Sequence, residues 1–306
     1  MKKQINIYLA LLFSFFIFLS ADCLFAQKIP VMVSILPQKY FVKQIGKDLV
    51  EVKAMVNPGS NPATYEPSPQ KMVTLSASKI YFSIGVPFEK AWLKRFKSAN
   101  PEMDIIATQK GIDKKPIFSH SHFIKQNPEH DFQKGHNHKN GHTVLDPHIW
   151  LDPDLVKIQA QNIQQGLSRI DPEHKQIYKK NLQSFIKRLD QLDRKLQEIF
   201  SAIPANRRRF MVFHPSWGYF AQAYELTQIA IEVEGKKPSP KELMQLTAYA
   251  RKNDIRVIFI QPQFSQKSAR TIARQINAQV ATLDPLAPDW EENLLKAART
   301  FQKYLN

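Results

Sequence analysis

The sequence predicts an α/β protein of two lobes, each a mostly parallel sheet flanked by helices, joined by one long connecting helix. Three observations predict it. Short apolar runs alternate with helix-length amphipathic segments over residues 31–107, the rhythm of parallel strands linked by helices. The same rhythm returns over residues 210–305. Between them, Tyr178, Leu182, Phe185, Leu189, Leu192, Leu196 and Ile199 repeat at alternating spacings of four and three, an apolar stripe along one helix. A chain of 306 residues has room for about two domains.

Taken in order, Lys2 and Lys3 precede an apolar stretch at residues 7–19, with small residues at Ala21 and Ala26. This reads as a secretory signal peptide over residues 1–26, too short and wrongly flanked for a membrane anchor. The protein is therefore expected to be periplasmic or otherwise extracytoplasmic. The single cysteine, Cys23, follows Asp22, a poor fit to a lipid-anchor site. Cleavage after Ala26 leaves a cysteine-free chain suited to an oxidising compartment.

Strands are expected at residues 31–36, 50–56, 80–84 and 105–107, with helices at 38–46, 67–77 and 88–98. Residues 116–142 break the pattern. They hold His120, His122, His130, His136, His138 and His142 among Gly, Asn and Lys, with no apolar period, and read as a mobile His-rich loop. Such a loop either holds metal weakly and passes it on or is a solvated insertion. The stripe places a helix over residues 172–202, either a coiled-coil seam or, since α/β segments flank it, a link between two lobes. Later strands are expected at 210–213, 228–233, 257–261 and 279–283, with helices at 240–253, 265–276 and 289–305. The resulting division is an N-terminal lobe at 27–171, a linking helix at 172–203 and a C-terminal lobe at 204–306.

The chemistry gathers at strand ends, where open α/β sheets bind ligands. The motif DPHIWLDP, Asp146 to Pro153, holds one histidine between two Asp-Pro steps. Proline fixes its own φ and restricts the residue before it, so the segment is a rigid turn aiming His148, followed by a helix start at Asp152-Pro153. His214 and Asp284 also sit beside prolines, at the ends of later strands. Imidazole and carboxylate converging on one point suit a divalent transition metal, and His148, His214 and Asp284 are the candidate ligands. Trp150 and Trp217 are expected to form an apolar wall orienting the two histidines. The net charge of +16 suits nucleic acid, an anionic membrane or simply a lysine-rich surface. No nucleic-acid motif accompanies it, so the last reading is adopted. The run Arg207-Arg208-Arg209 reads as a solvated connection.

With these motifs the chain resembles the metal-binding receptors of zinc and manganese ABC importers, the ZnuA/TroA/PsaA-like solute-binding proteins. The resemblance rests on SILPQKYFVKQIG from Ser34, PGSNPATYEPSP from Pro58, DPHIWLDP, FMVFHPSWGYFA from Phe210, VIFIQPQFS from Val257 and TLDPLA from Thr282. It implies a monomeric receptor that binds one metal between its lobes and delivers it to a membrane permease, with no nucleic-acid partner and no catalysis. The family's second, third and fourth ligands fall on His148, His214 and Asp284. Its first, a histidine in the early loop, is Ala63 here, and a glutamate of many members is Gln261. Tyr65 and Glu66 would brace that loop, with Glu66 open to an outer-shell role. Three accounts follow: His148, His214 and Asp284 with a water; a loop histidine, His142 or His138, in the gap; or a cleft that has taken another ligand. The His-rich loop and the histidine at 214 favour zinc, with manganese the alternative. A hydrolase is disfavoured, since no HExxH helix or evident general base is present. A surface adhesin on the same scaffold is the remaining alternative.

Overall fold

The computed structural model describes residues 27–117, 144–232 and 238–306. The proposed signal peptide, Cys23 and all six loop histidines lie outside the described residues. Two four-stranded sheets form the frame. The first contains β1 (Ile29–Val33), β2 (Val50–Ala54), β3 (Ile80–Ser83) and β4 (Asp104–Ala107), in the order β2-β1-β3-β4. The second contains β5 (Arg209–Val212), β6 (Thr227–Ala230), β7 (Val257–Ile260) and β8 (Gln279–Thr282), in the matching order β6-β5-β7-β8. All pairings are parallel.

Sequence pattern follows position in the sheet. The interior strands β3 and β7 are buried along their whole length, so they read as unbroken apolar runs. The edge strand β2 alternates, with Glu51 and Lys53 outward and Val50, Val52 and Ala54 inward.

Nine helices complete the described residues: α1 (Leu36–Gly46), α2 (Pro69–Ser76), α3 (Pro87–Ala99), α4 (Pro153–Ile170), α5 (Lys175–Ser201), α6 (Gly218–Ala223), α7 (Pro240–Lys252), α8 (Gln266–Ile276) and α9 (Trp290–Leu305). Proline opens α2, α3, α4 and α7, where its missing N–H costs no intrahelical bond. The sequence gives only the start of α4 at Asp152-Pro153, and α6 is too short to show a period. The long helix begins later than expected, because residues Pro172–His174 form a tighter 3₁₀ turn before α5.

The stripe on α5 is spent inside the molecule. Tyr178, Phe185, Leu189, Leu192 and Leu196 are buried in one core, with Leu182 and Ile199 packed against it. Helices α1, α4 and α9 pack on α5, which leaves no seam for a coiled-coil partner. Each fully buried Leu or Phe contributes roughly 1.5–3 kcal/mol. That core runs without a break from Val31 and Phe82 of the first sheet to Phe210, Phe259 and Phe301. Trp290 of α9 meets Phe41 of α1 edge-on, at 5.0 Å between centroids. A smaller cluster, including Met211, Ile229, Ile258 and Ala269, covers the other face of the second sheet.

Candidate metal centre

DPHIWLDP forms a 3₁₀ turn at Ile149–Leu151 between two aspartates with different tasks. Asp152 caps α4, accepting from Asp154 N at 2.8 Å and Leu155 N at 3.4 Å. Asp146 holds His148: its Oδ1 accepts from the backbone N–H of His148 at 2.9 Å and lies 2.6 Å from Nδ1 of the ring. The imidazole is buried and packs at 5.1 Å from the Trp150 ring. Burial pushes the His148 pKa down, opposed by the Asp146 carboxylate, and His214 and Lys114 add to the downward push. The ring is thereby held neutral, the form that binds metal.

His214 stands two residues beyond β5, and its Nδ1 lies 3.1 Å from Oε1 of Glu232, two residues beyond β6. The Phe264 ring stacks on His214 at 5.1 Å and 21°. The expectation that Trp217 walls this histidine does not hold: its ring is buried on Phe220 and Phe301, because the residue capping the start of α6 turns into the core. Only Trp150 takes the expected place.

The two imidazoles meet edge-on, with centroids 5.3 Å apart and planes at 73°. Each Nδ1 is engaged by a carboxylate, which leaves Nε2 as the free lone pair. Neither Nε2 has a hydrogen bond among the described residues. A zinc ion roughly 2.05 Å from both Nε2 atoms at a tetrahedral angle would set the ring centroids roughly 5.2 Å apart. The observed centroid spacing of 5.3 Å is that separation.

Asp284 lies two residues past β8, where its Oδ1 accepts from Leu286 N at 2.9 Å and Gln263 Nε2 at 3.2 Å. Among the described residues, no three His, Cys, Asp or Glu side chains converge closely enough to hold a metal ion. The structure thus brings His148 and His214 together but does not draw Asp284 into a closed set with them. Ala63 is exposed, and its N–H donates to Asn61 Oδ1 at 2.9 Å in a local turn. Tyr65 braces that loop, its hydroxyl donating to Met55 O at 2.6 Å and its ring edge-on to Phe88, whereas Glu66 is exposed.

Gln261 braces the histidine through its amide nitrogen, while its Oε1 is buried without a hydrogen-bond partner among the described residues. The residue is buried, and its Nε2 donates to His214 O and to Ser216 Oγ, both at 2.7 Å. The histidine backbone is pinned by the amide that replaces a carboxylate.

The two halves of the site are also fastened to each other. Tyr219 Oη accepts from Lys115 N at 3.0 Å and donates to Asp146 O at 3.2 Å. Gly218 lets Asp146 approach, since a Cβ there would lie 2.9 Å from Asp146 Oδ2. Trp150 Nε1 donates to Pro285 O and Trp290 Nε1 donates to Trp150 O, both at 2.7 Å. The described residues on either side of the His-rich segment pair here: Ile117 N donates to Val144 O at 3.0 Å and Asp146 N to Lys115 O at 2.8 Å.

Sequence reasoning missed Asp146, Glu232 and Phe264 as site residues. Asp146 was in plain view two residues before His148, and Glu232 is a lone carboxylate just past a strand.

The model of the family of periplasmic zinc-uptake complex component A, ZnuA, matches residues 31–305. The chain belongs to the ZnuA family. A crystal structure of ZnuA superposes with a TM-score of 0.80 at 40% identity, covering 92% of this chain and all of the other (100%). A zinc-bound ZnuA with residues 138–173 deleted gives 0.79 at 41% identity, covering 91% and 98%. The high-affinity zinc uptake protein ZnuA of Bacillus subtilis (strain 168) is 28% identical over 85% of this chain and 79% of its own length. ZnuA-family proteins are substrate-binding components of transport systems, not enzymes; they bind metal ions and work with ABC importer permeases. Among the described residues, no helix is long and apolar enough to cross a membrane.

Proposed function

We propose that this chain is the extracytoplasmic receptor that captures zinc between its lobes and hands it to an ABC permease, acting as a monomer. One observation carries the choice of residues: two imidazoles 5.3 Å apart, each with Nδ1 held by its own carboxylate. In this reading His148 and His214 bind the ion through Nε2. The free oxygen of Asp284 joins when the lobes adjust, and water fills the place left by Ala63. Three protein ligands and one water is an established zinc arrangement. An imidazole pair favours zinc over manganese, which prefers oxygen.

Calorimetry on residues 27–306 tests it: one zinc site, stronger than any manganese site, is expected. Binding no tighter than micromolar for either metal would sink the proposal. The secreted form is expected to begin at Gln27, which mass spectrometry of the exported protein checks.

A further inference from the structure

The run Arg207-Arg208-Arg209 does not behave as one unit. Arg208, in the middle, is consumed by the fold. Its Nε donates to Ile203 O at 3.0 Å, its Nη2 to Phe200 O at 3.1 Å, and its Nη1 to Glu225. It therefore caps the carboxyl end of α5, where a cation is stabilising. Arg207 and Arg209 have no such task. Both are exposed, neither is paired with a carboxylate among the described residues, and the one side-chain bond of Arg209 is a long 3.5 Å contact to Asn206 O.

The two line a pocket of about 200 Å³ together with Asn206, Asn253, Arg256 and Tyr304. Strand register explains why a third guanidinium is there. Parallel β5 and β7 pair Met211 with Ile258, so two residues earlier Arg209 falls beside Arg256. Like charges opposite one another across a sheet are unfavourable. Asp254, also in the lining, offsets Arg256 through bonds of 2.9 and 2.6 Å, which leaves Arg207 and Arg209 uncompensated. A concavity with surplus guanidinium donors lacks only an acceptor of charge and several oxygens.

We propose that this pocket is an anion site for a phosphate-class oxyanion, whose oxygens can accept from several guanidinium forks at once. It lies at the amino ends of β5 and β7. His214 and Gln261 follow the carboxyl ends of the same strands, so an occupied anion site leaves the metal cleft open. The site does not depend on the zinc reading.

The test uses residues 27–306 at low ionic strength. Inorganic phosphate is titrated by calorimetry, and co-sedimentation is measured with phosphatidylglycerol vesicles against phosphatidylcholine vesicles. The variant Arg207→Gln/Arg209→Gln is compared with Lys187→Gln/Lys195→Gln, which removes the same charge from the exposed side of α5. The arginine pair should weaken phosphate binding at least about tenfold, the scale of one charge-assisted contact, with the lysine pair near wild type. Capture on phosphatidylglycerol that free phosphate competes away identifies a lipid headgroup as the source, and phosphate binding without vesicle capture identifies a soluble phosphate. Absent phosphate binding, equal losses in the two pairs, or vesicle capture that phosphate cannot displace would each overturn the site. Zinc titration of the arginine variant should match wild type, which keeps this result separate from that of the receptor.

Discussion

The two sheets can be laid over one another residue by residue, and they differ where it matters. Val33 corresponds to Val212: each pairs with an alanine of the edge strand, Ala54 or Ala230, and with a phenylalanine of the next, Phe82 or Phe259. Beyond the strands the backbone bonds match too, with Val56 N donating to Ser34 O and Glu232 N to Phe213 O, at 3.0 and 2.9 Å. By this register, Ile35 and Val56 of the first lobe occupy the places of His214 and Glu232 in the second. Ile84 and Gln109 likewise occupy those of Gln261 and Asp284. Where the first lobe buries an isoleucine and a valine, the second sets an imidazole on a carboxylate. One scaffold, used twice, sets a histidine on a carboxylate at its strand ends once; at the first lobe's strand ends the buried polar groups, Ser34, Gln38, Glu89 and Thr108, bond to one another and to the backbone. The first lobe's side is supplied by DPHIWLDP, and the remaining early-loop position, Ala63, supplies nothing.

The largest test of this lopsidedness removes an imidazole. His148→Ala and His214→Ala should each weaken zinc by more than about 100-fold in calorimetry, since loss of an outer partner alone costs 10–100-fold. If either variant binds as wild type, the two halves do not share one ion. Next come the outer carboxylates. Asp146→Asn and Glu232→Gln should each cost about 10–100-fold. Asp146 should be the more severe, because its contact is shorter, 2.6 against 3.1 Å. Equal effects would show that the buried histidine gains nothing from its closer hold. A smaller change in the other direction should follow Ala63→His, about tenfold tighter zinc, or roughly 1.4 kcal/mol, with the fold intact because the position is exposed.

The smallest expected effect is on pH. Burial holds the His148 pKa below its ordinary value, about 6.5 in an unfolded chain. Between the folded value and about 6.5 the unfolded state binds more protons, so stability rises with pH there. This contribution is complete above about pH 6.5 and is lost as pH falls through the folded value. Thermal melts of the metal-free protein should therefore shift down on acidification. His148→Asn should flatten that part of the curve.

Much of this was legible in the chain. Val50 to Ala54 alternate, Val257 to Ile260 do not, and the difference alone separates an edge strand from an interior one. His148, His214 and Asp284 could be placed at strand or turn ends beside prolines because proline restricts the backbone locally. The partners were harder to read. Glu232 reaches His214 only through strand pairing, and Phe264 reaches it through a loop after β7, so no spacing in the sequence reports either contact. The bracing of His214 by Gln261 could not be read either, because a residue type is visible in sequence and a side chain's orientation is not. Arg208 could not be told from its neighbours until the end of α5 was in place.

The unbroken core beneath the cleft also bears on how the molecule comes apart. Side chains from both sheets and from α5 belong to one packed cluster, and the Trp150 and Trp290 indoles tie the same elements together. Melting either half would break the core that the two share. Denaturation should therefore be one cooperative event, a single calorimetric peak rather than two. Zinc held at the junction would raise that whole peak by mass action.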